Sequence, residues 1–318
     1  MRRELFLVWM LAGVLLCGGG LLGEAAFAEE PGVLTAHVPL GKAIRQDEIR
    51  ELREIRPGVR LLTIEKTEPR LMKIKIMRVD LTLPGLAFTG TGRAEHWGEP
   101  MPDYTAREIP IRTLREETRQ FMKNARKNGR KMIVAADTTP WAPWEAPWNH
   151  KYGHPAGLVI SEGVVVTDDG NPNHPMIVVW KDGRIEITGE IDPAKKDDIW
   201  MAHTGFGITM KDGVEVDGGG YEHGLMPRMT YGLSKDKRYL YLLTCDGRQE
   251  GWSLGATGPE ISAIMKTVGA WDVVDMDGGG SASLCYWDEA NGEPVMVNRH
   301  SANGATRRVA TNFGIYLE

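Results

Sequence analysis

Cysteine is nearly absent: the chain has three in 318 residues, and Cys17 falls inside an N-terminal apolar run. So few thiols rule out a four-cysteine zinc site and a small domain scaffolded by disulfides. The other two, Cys245 and Cys285, stand in apolar, strand-like stretches. They read either as one disulfide or as a pair of buried free thiols. An excess of basic charge is also missing. Lys and Arg total 38 against 43 Asp and Glu, a formal net charge of −5. The basic residues are scattered without a stripe of interleaved aromatics, which argues against nucleic acid as a partner. No apolar run after Leu22 is long enough to span a bilayer.

What is present begins at the N-terminus. Arg2 and Arg3 precede the apolar run Leu5 to Leu22, and Ala26-Phe27-Ala28 supplies an A-x-A cleavage pattern before Glu29. This is the form of an export signal. Gly18-Gly19-Gly20 interrupts the run and disfavours a permanent transmembrane helix, though an uncleaved anchor is the alternative. Residues 1–28 are therefore read as a signal peptide, cleaved near Ala28 to leave an exported (periplasmic or extracellular) chain with no membrane span. Residues 29–56 form a lead-in segment, in which Gln46 to Ile55 reads as a short surface helix. Residues 57–318 form the main domain. Oligomeric state is not legible.

The main domain reads as α+β: a large mixed, mainly antiparallel sheet system with a few capped helices. Val59 to Glu65 and Leu71 to Leu81 carry strand patterns around the turn signal Glu68-Pro69. Thr113-Leu114-Arg115-Glu116 and Thr257-Gly258-Pro259-Glu260 have the form of capping boxes. The first opens a helix with Leu114, Thr118, Phe121, Met122 and Ala125 on one face, stopped at Gly129. The second opens one with Ile261, Ile264, Met265 and Val268 inward, stopped at Gly269. Each helix leads into an apolar strand that ends at an aspartate, Asp137 and Asp277. Two such units place both carboxylates at one sheet edge. Ser161-Glu162-Gly163, Lys181-Asp182-Gly183, Lys211-Asp212-Gly213 and Cys245-Asp246-Gly247 read as hairpin turns.

One stretch carries chemistry. Asp277-Gly278-Gly279-Gly280-Ser281 follows an apolar strand, and three consecutive glycines exceed what a turn needs. Without Cβ atoms this backbone takes positive φ and approaches a bound group closely, and successive N–H groups form a nest suited to an anion. Asp277 stands at its lip. Upstream, Arg228 and Arg248 flank one strand-pairing region, and guanidinium forks grip phosphate with two bonds. Trp141-Ala142-Pro143-Trp144-Glu145-Ala146-Pro147-Trp148 offers flat apolar faces to sugar rings, or packs as a lid. His150 and His154, with Asp137, fit no standard zinc spacing. Asp217 to Gly220 reads as a flexible loop and His203 as a structural histidine.

The ordered set Pro227-Arg228-Met229-Thr230-Tyr231-Gly232, a strand ending Asp246-Gly247-Arg248, a capped helix, Asp277 to Ser281, then Arg307-Arg308-Val309-Ala310-Thr311-Asn312 resembles the phosphodiester glycosidase family. The resemblance runs from about Pro57 to the C-terminus and departs at Asp137, where the family usually has Asn-Gly-Gly. It implies an exported hydrolase acting on a glycosyl phosphodiester or phosphorylated glycan, cleaving the sugar C1–O bond without a cofactor or metal. Asp277 is the first candidate for the catalytic carboxylate and Asp137, despite the departure there, the second, with Arg228 as a catalytic clamp on the phosphate. Thr230, Arg248, Gly278, Gly279, Gly280, Ser281, Arg308, Trp141 and Trp144 are the implied substrate contacts. A carbohydrate-binding protein on the same fold, or a phosphodiesterase cutting P–O, are the alternative readings.

Overall fold

The computed structural model describes residues 43–144, 150–216, 224–301 and 305–318. The expected signal segment of residues 1–28 with Cys17, Trp148 and the glycine run Asp217 to Gly220 lie outside the described residues.

Three sheets carry the fold. The largest has eight strands in the order Ile49–Arg56, Val59–Lys66, Met72–Asp80, Tyr239–Cys245, Arg228–Ser234, Ala270–Asp275, Gly207–Lys211 and Val214–Glu215. A five-stranded sheet runs Glu293–Met296, Leu284–Asp288, Lys131–Asp137, Asn312–Leu317 and Leu86–Gly90. A second five-stranded sheet is built on hairpins around Ile199–Thr204. A small three-stranded ribbon pairs Tyr152–Pro155 with Thr113–Leu114 and Trp141–Ala142. The named strand pairings are all antiparallel, and helices α1 (Thr118–Lys127) and α2 (Gly258–Thr267) are short. The class is therefore mainly β, and the α+β expectation is corrected to that.

Strand alternation explains the layering. In the Tyr239–Cys245 strand, Leu240 and Leu242 face the core shared by the sheets, while Tyr241 and Leu243 face the layer under α2. Side chains alternate faces along a strand, so a strand buried on both faces reads as a continuous apolar run. Helix α2 closes the outer layer with Ile261, Ile264, Met265 and Val268. Helix α1 covers the outer face of the first five-stranded sheet with Phe121, Met122 and Ala125, packed on Met132, Ala135 and Cys285.

The second capping box forms: the Thr257 side chain accepts from the Glu260 amide, and the Thr257 amide donates to Glu260 Oε2 at 2.9 Å. The first does not. Helix α1 starts at Thr118 after an N-cap, Glu117, that makes no side-chain cap bond. Thr113 and Leu114 instead pair with Gly153 and Tyr152, and Glu116 pairs with Val309. Tertiary strand pairing overrides the local cap signal. Likewise, Gln46 to Ile55 is one 3-10 turn, Gln46–Glu48, and then the edge strand Ile49–Arg56, not a helix. Three of the four expected hairpin turns close hairpins. The fourth, at Asp246-Gly247, is a loop on a buried aspartate. Cys245 and Cys285 are free, buried thiols in different sheets, so no disulfide joins them.

Candidate active site

Asp137 and Asp277 come from different sheets, yet their strand ends meet. The Tyr231 hydroxyl donates to the Asp137 carbonyl at 2.7 Å, and the Asp277 amide donates to the Thr138 carbonyl at 2.7 Å. The C-terminal motif completes the junction. Asn312 pairs with Asp137 and accepts from the Thr118 hydroxyl at 2.7 Å, and Thr311 accepts from the Thr139 amide.

A cavity of about 530 Å³ opens over this junction. Asp277 and Gly278 to Ser281 form part of its wall, with Trp141, Trp144, Arg248 and Arg307 around them. The Ser281 hydroxyl, the Trp141 indole and the Gly278 amide hydrogen-bond to the Asp277 carboxylate. Burial nevertheless pushes this carboxyl up to about 7, against those bonds and the pull of Arg307. Removing water from a carboxylate penalises its charged form more than these contacts restore. Trp141 is buried; Trp144, 63% exposed, stands at the mouth.

Asp137 does not line the cavity. It is fully buried behind Asp277, with Oδ1 accepting from the Ser283 amide at 2.7 Å and Oδ2 unpartnered among the described residues. Burial, then the Asp277 charge, raises its pKa well above the ordinary carboxylate range.

The glycines act differently from the sequence expectation. The Gly279 amide donates to the Pro227 carbonyl and the Ser281 amide to the Gly278 carbonyl, so the loop is not an open nest of N–H groups. What glycine permits is close approach. A Cβ at Gly278 would stand 2.7 Å from the Pro227 carbonyl oxygen, and one at Gly280 would stand 2.6 Å from the Arg307 guanidinium. Gly279, at φ +60°, lies against Arg248, whose Nη1 would be 3.2 Å from a Cβ there.

The arginines divide by role. Arg228 reaches the cavity wall, but its guanidinium donates to Asp275 Oδ2 at 2.9 Å, the Ala256 carbonyl at 3.0 Å and the Gly224 carbonyl at 3.0 Å. Thr230 is buried and donates to Asp275 Oδ1 at 3.1 Å. Both residues hold Asp275, an acidic wall residue that sequence reasoning passed over. Its place two positions before Asp277 was the available signal. Arg248 is exposed, sits at φ +57°, and makes no side-chain hydrogen bond or ion pair among the described residues. Its loop is anchored by Asp246, which accepts from the Trp252 indole at 2.7 Å and the Arg299 amide at 3.0 Å.

Arg308 is exposed and off the cavity; Arg307 beside it is the residue that lines the wall. The Arg308 carbonyl accepts twice from Arg115, at 3.2 and 3.0 Å. Buried Arg115 also lies 4.3 Å from the Trp141 ring centroid and donates to the His150 carbonyl at 2.8 Å. It ties the tryptophan loop to the arginine segment, a role its place in an apparent capping box concealed. The His150 ring is engaged by the Pro143 carbonyl and Arg115, which separates it from any metal set with Asp137. His154 lines the cavity with Nδ1 on the Pro110 carbonyl, its pKa lowered by burial. His203 is buried away from the cavity, and burial alone pushes it down to about 3.

The arrangement sets the half-buried Asp277 carboxylate in one cavity with the Arg248 and Arg307 guanidiniums, beside the Arg228–Asp275 pair and a set of apolar and aromatic side chains. It can hold an anionic ester and present a carboxylate to a carbon that becomes positive. The profile of the family described as phosphodiester glycosidase matches residues 125–316. No curated protein matches the chain. Among solved structures, the catalytic domain of zebrafish N-acetylglucosamine-1-phosphodiester alpha-N-acetylglucosaminidase, described as auto-inhibited by its pro-peptide, superposes with a TM-score of 0.57. It is 18% identical, over 81% of this chain and 82% of that one. A hypothetical protein from Synechocystis gives a TM-score of 0.57 at 10% identity, over 85% of this chain and 64% of that one. At these identities the likeness is one of fold.

Proposed function

Because the chain belongs to the phosphodiester glycosidase family, we propose that it hydrolyses a glycosyl phosphodiester at the sugar C1–O bond, releasing free sugar and a phosphomonoester. The observation that carries this reading is the convergence of Asp277, Arg248 and Arg307 on one cavity. As the C1–O bond breaks, its electron pair goes to the phosphate and positive charge develops on C1. The leaving group is a phosphomonoester with a second pKa near 6, so it departs without a strong general acid. Arg248 and Arg307 stabilise the growing negative charge. Asp277 meets the developing positive charge, and water supplies the new oxygen on C1. Trp141 orients Asp277, and Trp144 offers a face for the sugar at the mouth. Asp275, held by Arg228, shapes the wall.

We extend the proposal to location: residues 1–28 direct export, and the mature chain begins at Glu29. Mass measurement of the N-terminus recovered from outside the cytoplasm tests this. The activity itself is tested by incubating purified protein with a panel of sugar-1-phosphodiesters in oxygen-18 water. Label in the released sugar supports C1–O cleavage. Label in the phosphate instead overturns it in favour of a P–O cutting phosphodiesterase. Glycan binding without turnover points to a binding protein.

A further inference from the structure

Outside the cavity, one cationic cluster has no carboxylate partner. The Arg93 guanidinium lies 3.9 Å from the Trp97 ring centroid and that of Arg112 lies 4.5 Å from it. Neither arginine has an ion pair among the described residues. Two like charges stacked on one indole repel each other, and the pKa of Arg112 is lowered by burial and by Arg93. The assembly is fixed from several sides. Arg93 Nε donates to the Val165 carbonyl at 2.7 Å, and the Trp97 indole donates to the Val166 carbonyl at 2.8 Å. The Arg112 amide donates to the Gly153 carbonyl at 3.2 Å. Arg112 Nε is buried without an acceptor among the described residues. The acidic residues nearest Arg93 and Trp97 in sequence, Glu95 and Glu99, are exposed and pair with His96; of those nearest Arg112, Glu108 is exposed and Glu116 accepts from Asn124.

The cluster adjoins the cavity through one residue. His154 lines the cavity, while its Nδ1 meets the carbonyl of Pro110, two residues before Arg112. The charge of Arg112 is felt at the His154 ring. A chain leaving the cavity past His154 therefore meets a preorganised, uncompensated dication.

We propose that Arg93, Trp97 and Arg112 form a second anion subsite that takes the next phosphodiester of an oligomeric, polyanionic substrate. This rests on the proposed phosphodiester chemistry and deepens it, by making the substrate a repeating phosphodiester chain and not a single small ester. Guanidiniums stacked on an aromatic ring hold their planes, and their outer N–H edges present paired donors to phosphate oxygens. The stacked ring also lowers the entropy lost on binding.

The test compares Arg93→Gln/Arg112→Gln with the unaltered protein on two ligands. One is a sugar-1-phosphodiester with a single phosphate. The other is a glycerol phosphate hexamer carrying the same terminal sugar-1-phosphodiester. The double variant is expected to bind the hexamer about tenfold more weakly, with a flatter salt dependence, and to leave the single ester unchanged. Equal losses on both ligands, or a hexamer bound no more tightly than the single ester by the unaltered protein, overturn the subsite. Arg93→Lys/Arg112→Lys guards against misfolding, since it keeps the charge and is expected to recover part of the affinity. Binding is read by calorimetry with every protein carrying Asp277→Asn, so that neither ligand is turned over, and failure of the hydrolytic reading and failure of the subsite are seen separately.

Discussion

The carboxyl of Asp137 is buried behind that of Asp277, with one oxygen accepting from the Ser283 amide and the other without a donor among the described residues. Burial raises the pKa of both carboxyls, and the Asp277 charge raises that of Asp137 further, so ionising one disfavours ionising the other. Asp137, fully buried, keeps its proton, and Asp277, open to the cavity, ionises first. A protonated Asp137 is electrically like an amide, which reconciles an aspartate here with an anionic substrate nearby.

The first prediction is a displaced pH profile. The working form of Asp277 is the carboxylate, and its pKa is raised to about 7. Activity is therefore absent well below that value and rises as pH passes through it, instead of rising near the usual carboxylate range. The group that ionises next is Asp137, whose pKa is raised further by the Asp277 charge. Its ionisation adds a second negative charge behind the site and depresses activity on the alkaline side. Asp137→Asn keeps the acid limb near its place and removes that alkaline loss. A kcat/KM profile for both proteins checks this; a collapse of Asp137→Asn at every pH with a normal fold would show a direct catalytic role for Asp137.

Asp277→Asn is expected to lower kcat by about 10²–10⁴-fold, the range for removing a group that works only in the transition state. Its three hydrogen-bond partners are the Ser281 hydroxyl, the Trp141 indole and the Gly278 amide. An amide can keep part of this set, so circular dichroism and melting temperature are expected to change little. Trp141→Phe removes one donor to the carboxylate. It moves the acid limb to higher pH, because a lost hydrogen bond to the charged form raises the pKa.

The glycine loop yields a sharper test. Gly280 is not at positive φ, so alanine is free of backbone strain there. Its Cβ would instead meet the Arg307 guanidinium, the mobile end of a side chain. Gly280→Ala is expected to displace Arg307 and cut kcat/KM by about 10–100-fold with little change in stability. Gly278→Ala meets the Pro227 carbonyl, which is backbone, and is expected to lower the melting temperature as well. Thermal melts beside kinetics separate the two.

Sequence made parts of this site legible because they depend on local chemistry. The Thr257 capping box, the hairpin turns at Gly163, Gly183 and Gly213, and the strand leading into Asp277 all follow from neighbouring residues. The two similar helix–strand units point to one shared sheet edge for Asp137 and Asp277; their strands instead belong to two sheets, whose ends the Tyr231 and Asp277 bonds bring together. What escaped depends on distant pairing. The Thr113 capping signal yields to strands contributed by Gly153 and Val309. Arg307 and Arg308 are neighbours in an irregular segment, and their linear order does not reveal that Arg307 is the one lining the cavity. Arg228 pairs with Asp275 because adjacent antiparallel strands bring them together, and no linear spacing reveals that.

That last pair gives the final prediction. Arg228 and Asp275 are both buried, so removing the guanidinium leaves an uncompensated charge in the wall of the cavity. Arg228→Met is expected to destabilise the fold by about 3–5 kcal/mol at neutral pH, as for other broken buried pairs. Burial already lifts the Asp275 carboxyl above its ordinary range, with Arg228 opposing. In the variant that opposition is gone and the folded-state pKa rises further. A group with a raised folded pKa favours folding when protonated, so the deficit of Arg228→Met must shrink as pH falls below that pKa and grow as pH rises through it. Denaturant midpoints from pH 4 to 8 measure this slope. A deficit independent of pH would mean that Arg228 stabilises the sheet through its bonds to the Ala256 and Gly224 carbonyls, and not through Asp275.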